Sequence, residues 1–357
     1  MNGAPDLKDK VVALVGGGGF IGHNMALQLQ KQGAEVHIID SLQVNNLGAF
    51  TSGWNPSPNN DLYVSFVNQR LDLIRQAKIP LHVIDARDYS VFSYCLGSIK
   101  PNVVIQLAAV AHANRANKDP FSTFDHSMRT LENALDTVRD KKTHFIFFSS
   151  SMVYGNFEGD AVTEDRRCEP MGIYGALKYG GEKLVVAYNQ VFGLPYTIIR
   201  PSALYGERCV SRRVGQAFIE NALRGQNLTI NGDGSDALDF TYIADLISGI
   251  SLVIAREEAR NQTFNLTYGG ARSLNQMVEL MREQFPGIKV EYRPRDSLMP
   301  ERGTLSVEKA RKLLGYEPQF PLEKGFVRYI KWYKELAAAQ PQLFRNVSCE
   351  SERSLPA

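Results

Sequence analysis

No stretch of the 357-residue chain approaches the roughly eighteen apolar residues in a row that a membrane-spanning helix needs. Its first ten residues, Met1 to Lys10, are polar and charged, with no apolar signal core. The expectation is a cytoplasmic protein with no membrane partner. Cysteine is scarce: Cys95, Cys168, Cys209 and Cys349 are widely scattered, without a C-x-x-C or any metal-ligand pair. That excludes a disulfide framework and leaves no metal site to expect. Excess charge of either sign is missing as well. The 40 Lys and Arg against 38 Asp and Glu leave +2, too little to point to nucleic acid or an anionic membrane. Any anion site must therefore be local. Internal repeats are absent too, and with 44% hydrophobic residues the chain can bury the core of one large or two joined domains.

Glycine is present where it counts. Lys10 to Val15 is a short β-branched run ending in Gly16 to Gly19, and apolar residues then recur at helical spacing until Gly33, before a second strand from Val36 to Asp40. This strand, glycine turn, helix and strand open a doubly wound parallel sheet. Further strands are predicted at Leu81 to Ile84, Val103 to Leu107, Phe145 to Phe148 and Tyr196 to Ile199. Asn45 to Asp61, rich in Asn, Gly, Ser and Pro, reads as a loop. After Pro201 the pattern becomes mixed, with an Arg-rich turn at Arg208 to Arg213, a helix near Gln216 to Arg224, and a strand and helix from Asp239 to Ala255 that return to the first domain. The division expected is 1–200 with 237–260 as nucleotide-binding domain, 201–236 with 261–340 as substrate domain, and 341–357 as a polar, frayed tail.

Gly16, Gly19 and Gly22 form G-x-x-G-x-x-G at the mouth of the first helix, where backbone amides and the helix dipole can hold a diphosphate. A glycine cluster by itself also suits a flexible turn. Asp40 closes the second strand about twenty residues on, where a carboxylate accepts both ribose hydroxyls and repels a 2′-phosphate, favouring NAD over NADP. Asp85 follows the third strand, as a partner for the adenine amino group or as a solvated turn residue. Tyr174 and Lys178 lie one helical turn apart on one face. A phenol loses its proton near pH 10, so a general base at neutral pH needs a neighbouring positive charge. Tyr-x-x-x-Lys alone is a weak signal; it gains weight here by following both the dinucleotide fingerprint and a hydroxyl cluster, Ser149 to Ser151, at the end of the Phe145 to Phe148 strand.

Taken in order, Val15 to Gly22 with Phe20 and Ile21, Leu107-Ala108-Ala109, Ser149 to Gly155, Tyr174 to Lys178, Arg200-Pro201 and Asp239-Phe240 resemble the NAD-dependent epimerase/dehydratase family of extended short-chain dehydrogenases/reductases, over about residues 10 to 335. The resemblance implies a Rossmann-like doubly wound parallel sheet with a smaller mixed C-terminal substrate domain, a tightly held NAD, and a homodimer joined through paired helices. It implies Ser150, Tyr174 and Lys178 as catalytic residues. With the glycine turn and Asp40, it places Asp85, Ala86, Leu107, Ala108, Ala109, Tyr174, Lys178 and Pro201 against the cofactor.

Dehydratases that resemble this chain carry an acidic residue just after the catalytic hydroxyl; here Ser151 and Met152 follow Ser150, and neither is an acid. Expulsion of a hydroxyl loses support, and so does decarboxylation. A nucleotide-sugar epimerase, working at C4 through a transient keto-sugar, fits best. A sugar or nucleotide-sugar dehydrogenase or ketoreductase uses the same triad, and a non-catalytic NAD sensor is the remaining alternative. The usual diphosphate contacts of relatives, an Asn and an Arg, are replaced by Ala203 and Leu238. Residues expected near the substrate are Ser151 and Met152 together with Arg208, Arg213, Arg293 and Arg302, the arginines as substitutes that fork onto phosphate.

Overall fold

The computed structural model describes residues 5–51, 59–110, 113–159, 161–295 and 299–345. Strands β1 (Val11–Val15), β2 (Glu35–Ile39), β3 (Leu81–His82), β4 (Val103–Gln106), β5 (His144–Phe148) and β6 (Tyr196–Arg200) alternate with helices α1 (Phe20–Lys31), α2 (Leu47–Thr51), α3 (Asn60–Gln76), α4 (Tyr89–Ile99), α5 (Ala113–Lys118), α6 (Pro120–Phe124), α7 (Thr130–Val138) and α8 (Gly172–Phe192). The second half holds β7 (Leu204–Tyr205), α9 (Val214–Leu223), β8 (Leu228–Asn231), β9 (Ala237–Leu238), β10 (Thr241–Tyr242), α10 (Ile243–Ala255), β11 (Gln262–Asn265), β12 (Arg272–Ser273), α11 (Leu274–Gln284), β13 (Val290–Arg293), α12 (Glu308–Leu314) and α13 (Leu322–Ala339).

Seven of these strands form one parallel sheet in the order β11-β6-β5-β4-β1-β2-β3. Its central strands are mostly apolar because helices cover both faces, with Gln106, His144, Thr197 and Arg200 as buried polar exceptions near the strand ends. Val12 and Leu14 of β1 enter one core with Ile38 and Ile105, while their neighbours Ala13 and Val15 enter another with Val104, Phe145 and Phe147. The sequence expectation of a doubly wound sheet is met, and β11 adds a strand beyond residue 260, where the sequence reading divides the chain. Three two-stranded sheets, β7 with β10, β8 with β13 and β9 with β12, make up a smaller mixed layer beside its carboxyl ends.

The stretch from Asn45 to Asp61 is not uniformly a loop. Leu47–Thr51 is helical and α3 begins at Asn60, while residues 52–58 lie outside the described part. The Ser- and Asn-rich composition conceals α2 because its N-terminus is closed by Asn46, whose side-chain oxygen accepts from Leu47 N at 2.9 Å. The tail also departs from expectation at its start. Pro341–Phe344 forms a short 3-10 turn that buries Phe344 against Tyr333 and beneath the Arg224 guanidinium; residues 346–357 lie outside the described part.

One polar clasp joins the two halves. Arg70 of α3, fully buried, donates Nε at 3.0 Å and also Nη2 to the carbonyl of Arg208, and Nη1 at 3.3 Å to the carbonyl of Asn45. Both carbonyls belong to residues in the left-handed region, at φ 62° and 51°. Such backbone needs outside support, and charged donors give it. Arg70→Met keeps the stem but strips these buried carbonyls of their donor, so we expect a loss of roughly 2–4 kcal/mol, read as a lowered urea midpoint. An unmoved midpoint would show that the loops hold themselves.

Candidate active site

Val15 ends β1, and the chain turns at Gly16 with φ 81°. A β-carbon at Gly16 would stand 2.5 Å from Ala108 N, and one at Gly22 would collide with the Gly17 backbone. These two glycines therefore let the turn, the β4 end and α1 approach each other. Gly19 differs: its β-carbon would meet only Gly16 O, at 3.6 Å, so its open side faces solvent space. Gly19 caps α1 without a side-chain hydrogen bond, which leaves the first-turn amides free to meet an anion.

That space is a groove lined by Gly16, Gly19, Phe20, Ile21, Gly22, Asp40, Asp85, Ala86, Leu107, Ala108 and Ala109. These are the residues on which the sequence placed the dinucleotide. Asp40 turns its carboxylate inward, accepting from Gly18 N at 2.9 Å and Leu42 N at 2.7 Å. Burial pushes its pKa up, and the two amides and the Arg70 charge pull it back. Two amide bonds leave carboxylate lone pairs for ribose hydroxyls. Asp85 is more committed than expected, because Arg87 forks onto it, with Nη2 at 2.6 Å, and holds its pKa below the usual carboxylate range. The donor set and the missing β-carbons fit a dinucleotide.

The hydroxyl cluster lies at the carboxyl end of β5. Ser149 donates to Glu182 at 2.5 Å. Ser150 accepts from Met152 N at 3.2 Å, and its hydroxyl lies near enough to the Tyr174 phenol to pull the phenol's pKa down. Lys178, one turn along α8, is buried and donates Nζ to the Phe148 carbonyl at 2.6 Å, 5.2 Å from the Phe147 ring centre. Burial pulls its pKa down to about 8, opposed by the Glu182 charge. Tyr174 is pushed up by burial, and the charges that pull it back are those of Arg213 and Arg302. The sequence assigned that work to Lys178 and the nicotinamide ring; among the protein's charges it is two arginines from the later half that act on the phenol.

Tyr174, Lys178 and Pro201 are not in the lining of the groove; Arg213 is, and its charge reaches Tyr174. Pro201 offers its carbonyl to Ser151 N at 3.0 Å. Arg302 donates Nη2 to Ser151 Oγ at 2.5 Å and to Ser202 Oγ at 3.3 Å, and Nη1 reaches the Met152 sulfur. Of the other arginines, Arg208 turns away, its Nε on His23 Nε2 at 3.2 Å, and Arg293 stays exposed on β13, 3.9 Å from Glu291. Neither has a described contact with Ser150 or Tyr174. Sequence reasoning missed Asn45, His126, Thr130, Cys209, Val210 and Ser211 in the groove lining. Their placement depends on the Arg70 clasp and on a π-turn at Asp125–Arg129, neither of which has a spacing signature.

This arrangement defines an NAD-binding α/β enzyme of the serine–tyrosine–lysine type. The model of the NAD dependent epimerase/dehydratase family matches residues 12–267, and the chain belongs to that family. It is 31% identical over 239 residues to a Bacillus subtilis protein described as an uncharacterized UDP-glucose epimerase, covering 66% of this chain and 75% of that one. It is 27% identical to the UDP-glucuronate 4-epimerase of Thermodesulfobacterium geofontis, over 90% of this chain and 95% of the relative. Among solved structures, the UDP-glucuronic acid 4-epimerase of Bacillus cereus, in complex with UDP-glucuronic acid and NAD, has the same fold, with a TM-score of 0.79 at 24% identity over 91% of this chain and 99% of that one.

A buried carboxylate sets the later half against this site. Asp239 accepts from Thr267 Oγ1 at 3.1 Å, Gly269 N at 3.2 Å and Leu305 N at 3.1 Å. Burial outweighs these donors and pushes its pKa up to about 6. The folded state therefore holds a proton that the unfolded chain releases nearer pH 4, and stability falls as pH rises through that window. Asp239→Asn removes this dependence: between pH 4 and 6 wild type loses stability relative to the variant, by at most roughly 3 kcal/mol. Parallel melting curves across that range would contradict the assignment.

Proposed function

We propose that the protein is an NAD-dependent nucleotide-sugar epimerase acting at C4, with Tyr174 exchanging a proton with the sugar hydroxyl. The carrying observation is the Ser150–Tyr174 pair at the end of β5, next to the glycine groove and followed by Ser151 and Met152 rather than by an acid. NAD, when bound across Gly16 to Gly22 and Asp40, supplies reversible acceptance of a hydride. Ser150 holds the reacting oxygen and Tyr174 receives its proton. Arg213 and Arg302 favour the phenolate electrostatically, and Lys178 adds a buried positive charge one helical turn away. Neither Ser151 nor Met152 is an acid that could protonate a leaving hydroxyl. Inversion requires that the sugar present its other face to the same tyrosine.

The test is incubation of the purified protein with UDP-, GDP-, CDP- and dTDP-sugars and their uronic acids, without added NAD, followed by chromatography. Epimers formed without added cofactor support the reading. No product without NAD, but growth of absorbance at 340 nm with it, would make the protein a dehydrogenase instead. Tyr174→Phe should lower turnover by at least about a hundredfold while NAD remains in the purified protein, because the proton acceptor goes and the groove stays.

The protein is further proposed to be a cytoplasmic homodimer. No helix among the described residues is long and apolar enough to cross a membrane. Tyr94 on α4 is 81% exposed, Phe121 on α6 86%, and Val191 at the end of α8 72%, with Tyr89, Phe124 and Phe192 also open. Large apolar side chains gathered on neighbouring helices mark a surface for association. Light scattering should give twice the 39.8 kDa of the chain, and Tyr94→Asp with Val191→Asp should halve that mass.

A further inference from the structure

The amides that open α1 are aimed from behind. A trans peptide is planar, so its C=O and the N–H that follows point in opposite directions, and whatever grips the carbonyl sets the direction of the amide. Three side chains grip successive carbonyls here. Asn46 donates Nδ2 to Gly18 O at 3.1 Å, His23 brings Nδ1 to 2.9 Å from Gly19 O, and Asn24 donates Nδ2 to Phe20 O at 3.0 Å. The amides so directed belong to Gly19, Phe20 and Ile21, which all line the groove. Gly19, the capping residue, brings no side chain of its own to the helix end.

His23 differs from the two asparagines in reaching the later half of the chain. Its ring is fully buried, and its Nε2 receives Nε of Arg208 at 3.2 Å. An arginine Nε–H only donates and a carbonyl only accepts, so both partners force one form of the ring: neutral, with its proton on Nδ1. Arg208 is fixed at its other end, where Arg70 holds its carbonyl, and its guanidinium lies 5.9 Å from the Trp332 ring centre. Glu207, whose charge acts on Arg208, is taken up by Tyr242 at 2.6 Å and Arg328 at 3.6 Å. The charges that act on the imidazole are therefore Arg70 from α3 and Arg208 from the loop after β7, and together with burial they hold its pKa well below the usual 6.5. Burial alone asks only for an apolar side chain at position 23. A ring that donates at one edge and accepts at the other turns the position of Arg208 into the direction of the Gly19–Phe20 peptide.

We propose that His23 is a positioning residue for the dinucleotide: with Arg208 as its partner it holds the Gly19 carbonyl so that the Phe20 amide faces the groove, and retention of NAD depends on a side chain outside the groove lining. The inference goes beyond the reaction proposed above, since it holds whether the bound dinucleotide serves epimerisation or oxidation. It also gives retention a sign in pH. A second proton on the ring removes the acceptor of Arg208 and adds a third positive charge beside Arg70 and Arg208. Once the rims part and the ring meets water, it takes up that proton near about pH 6.5, so lowering the pH below this value favours opening.

The experiment loads the full chain with NAD, adds an excess of isotopically labelled NAD, and follows loss of the unlabelled cofactor from the protein by mass spectrometry. His23→Leu, His23→Gln, Arg208→Met and the Leu–Met double variant are compared with wild type, and circular dichroism checks that each is folded. His23→Leu and Arg208→Met are expected to release NAD roughly 10- to 100-fold faster, the value of one or two buried hydrogen bonds. His23→Gln, which offers a donor and an acceptor at similar reach, should stay within about threefold of wild type. The double variant should release no faster than the faster single one, because either change breaks the same relay. Below about pH 6.5 release from wild type should quicken more than release from His23→Gln. Asp40 is present in both, so it cannot produce that difference. Release from His23→Leu at the wild-type rate would overturn the proposal, as would equal acceleration by Leu and Gln, which leaves the ring a packing role only. Multiplied effects in the double variant would separate His23 from Arg208 and overturn the relay. Should His23→Leu not fold, Arg208→Met and the pH comparison decide in the same way.

Discussion

A single buried ion pair aligns every piece of the reacting centre. Arg200, the last residue of β6, forks onto Glu182 of α8 with Nε at 2.9 Å and Nη2 at 2.6 Å. Glu182 also takes the Ser149 hydroxyl, and Arg200 Nη1 continues to Tyr154, which in turn donates to Asn265 of β11. Three strands and the helix that carries Tyr174 and Lys178 are therefore in register through one guanidinium. Isolated charges so deep would be costly, and removing either partner of such a pair typically costs roughly 3–5 kcal/mol. Its value here is alignment: Ser150 follows Ser149, Pro201 follows Arg200, and Lys178 lies one turn before Glu182.

From that frame the site divides by chain order. The first half supplies most of the groove and the hydroxyls, and the later half adds one groove wall and the arginines that act on Tyr174. Arg213 approaches from the loop that also lines the groove, and Arg302 from the segment pinned by Asp239. Lys178, bonded to the Phe148 carbonyl, holds the helix against β5. The mixed layer thus does more than cover the sheet ends: it sets the electrostatics at Tyr174.

What could be read from the sequence follows from what has a period or a spacing. The alternation of β-branched strands and amphipathic helices gives the doubly wound sheet, and G-x-x-G-x-x-G with Asp40 gives the groove, because both are local along the chain. Arg200 entered only beside Pro201, and Glu182 not at all, since an ion pair eighteen residues apart leaves no trace in spacing. The arginines show the same limit. All four candidates look alike as residues, but only tertiary contacts put Arg208 on His23, Arg293 on Glu291 in solvent, Arg213 in the groove and Arg302 on Ser151. The helix Leu47–Thr51 was hidden because polar composition alone does not exclude a capped turn of helix.

The Arg70 clasp bears on time as well as on shape. Its two acceptors flank the groove, Asn45 after Asp40 on one rim and Arg208 before Cys209 on the other. A dinucleotide lying between those rims leaves no faster than they part, and parting them breaks several buried, charge-assisted bonds at once. Escape is then governed by rare local opening and not by diffusion. On the function proposed above, such a clasp predicts that the redox partner stays through many catalytic cycles, insulated from the ratio of oxidised to reduced nucleotide around it.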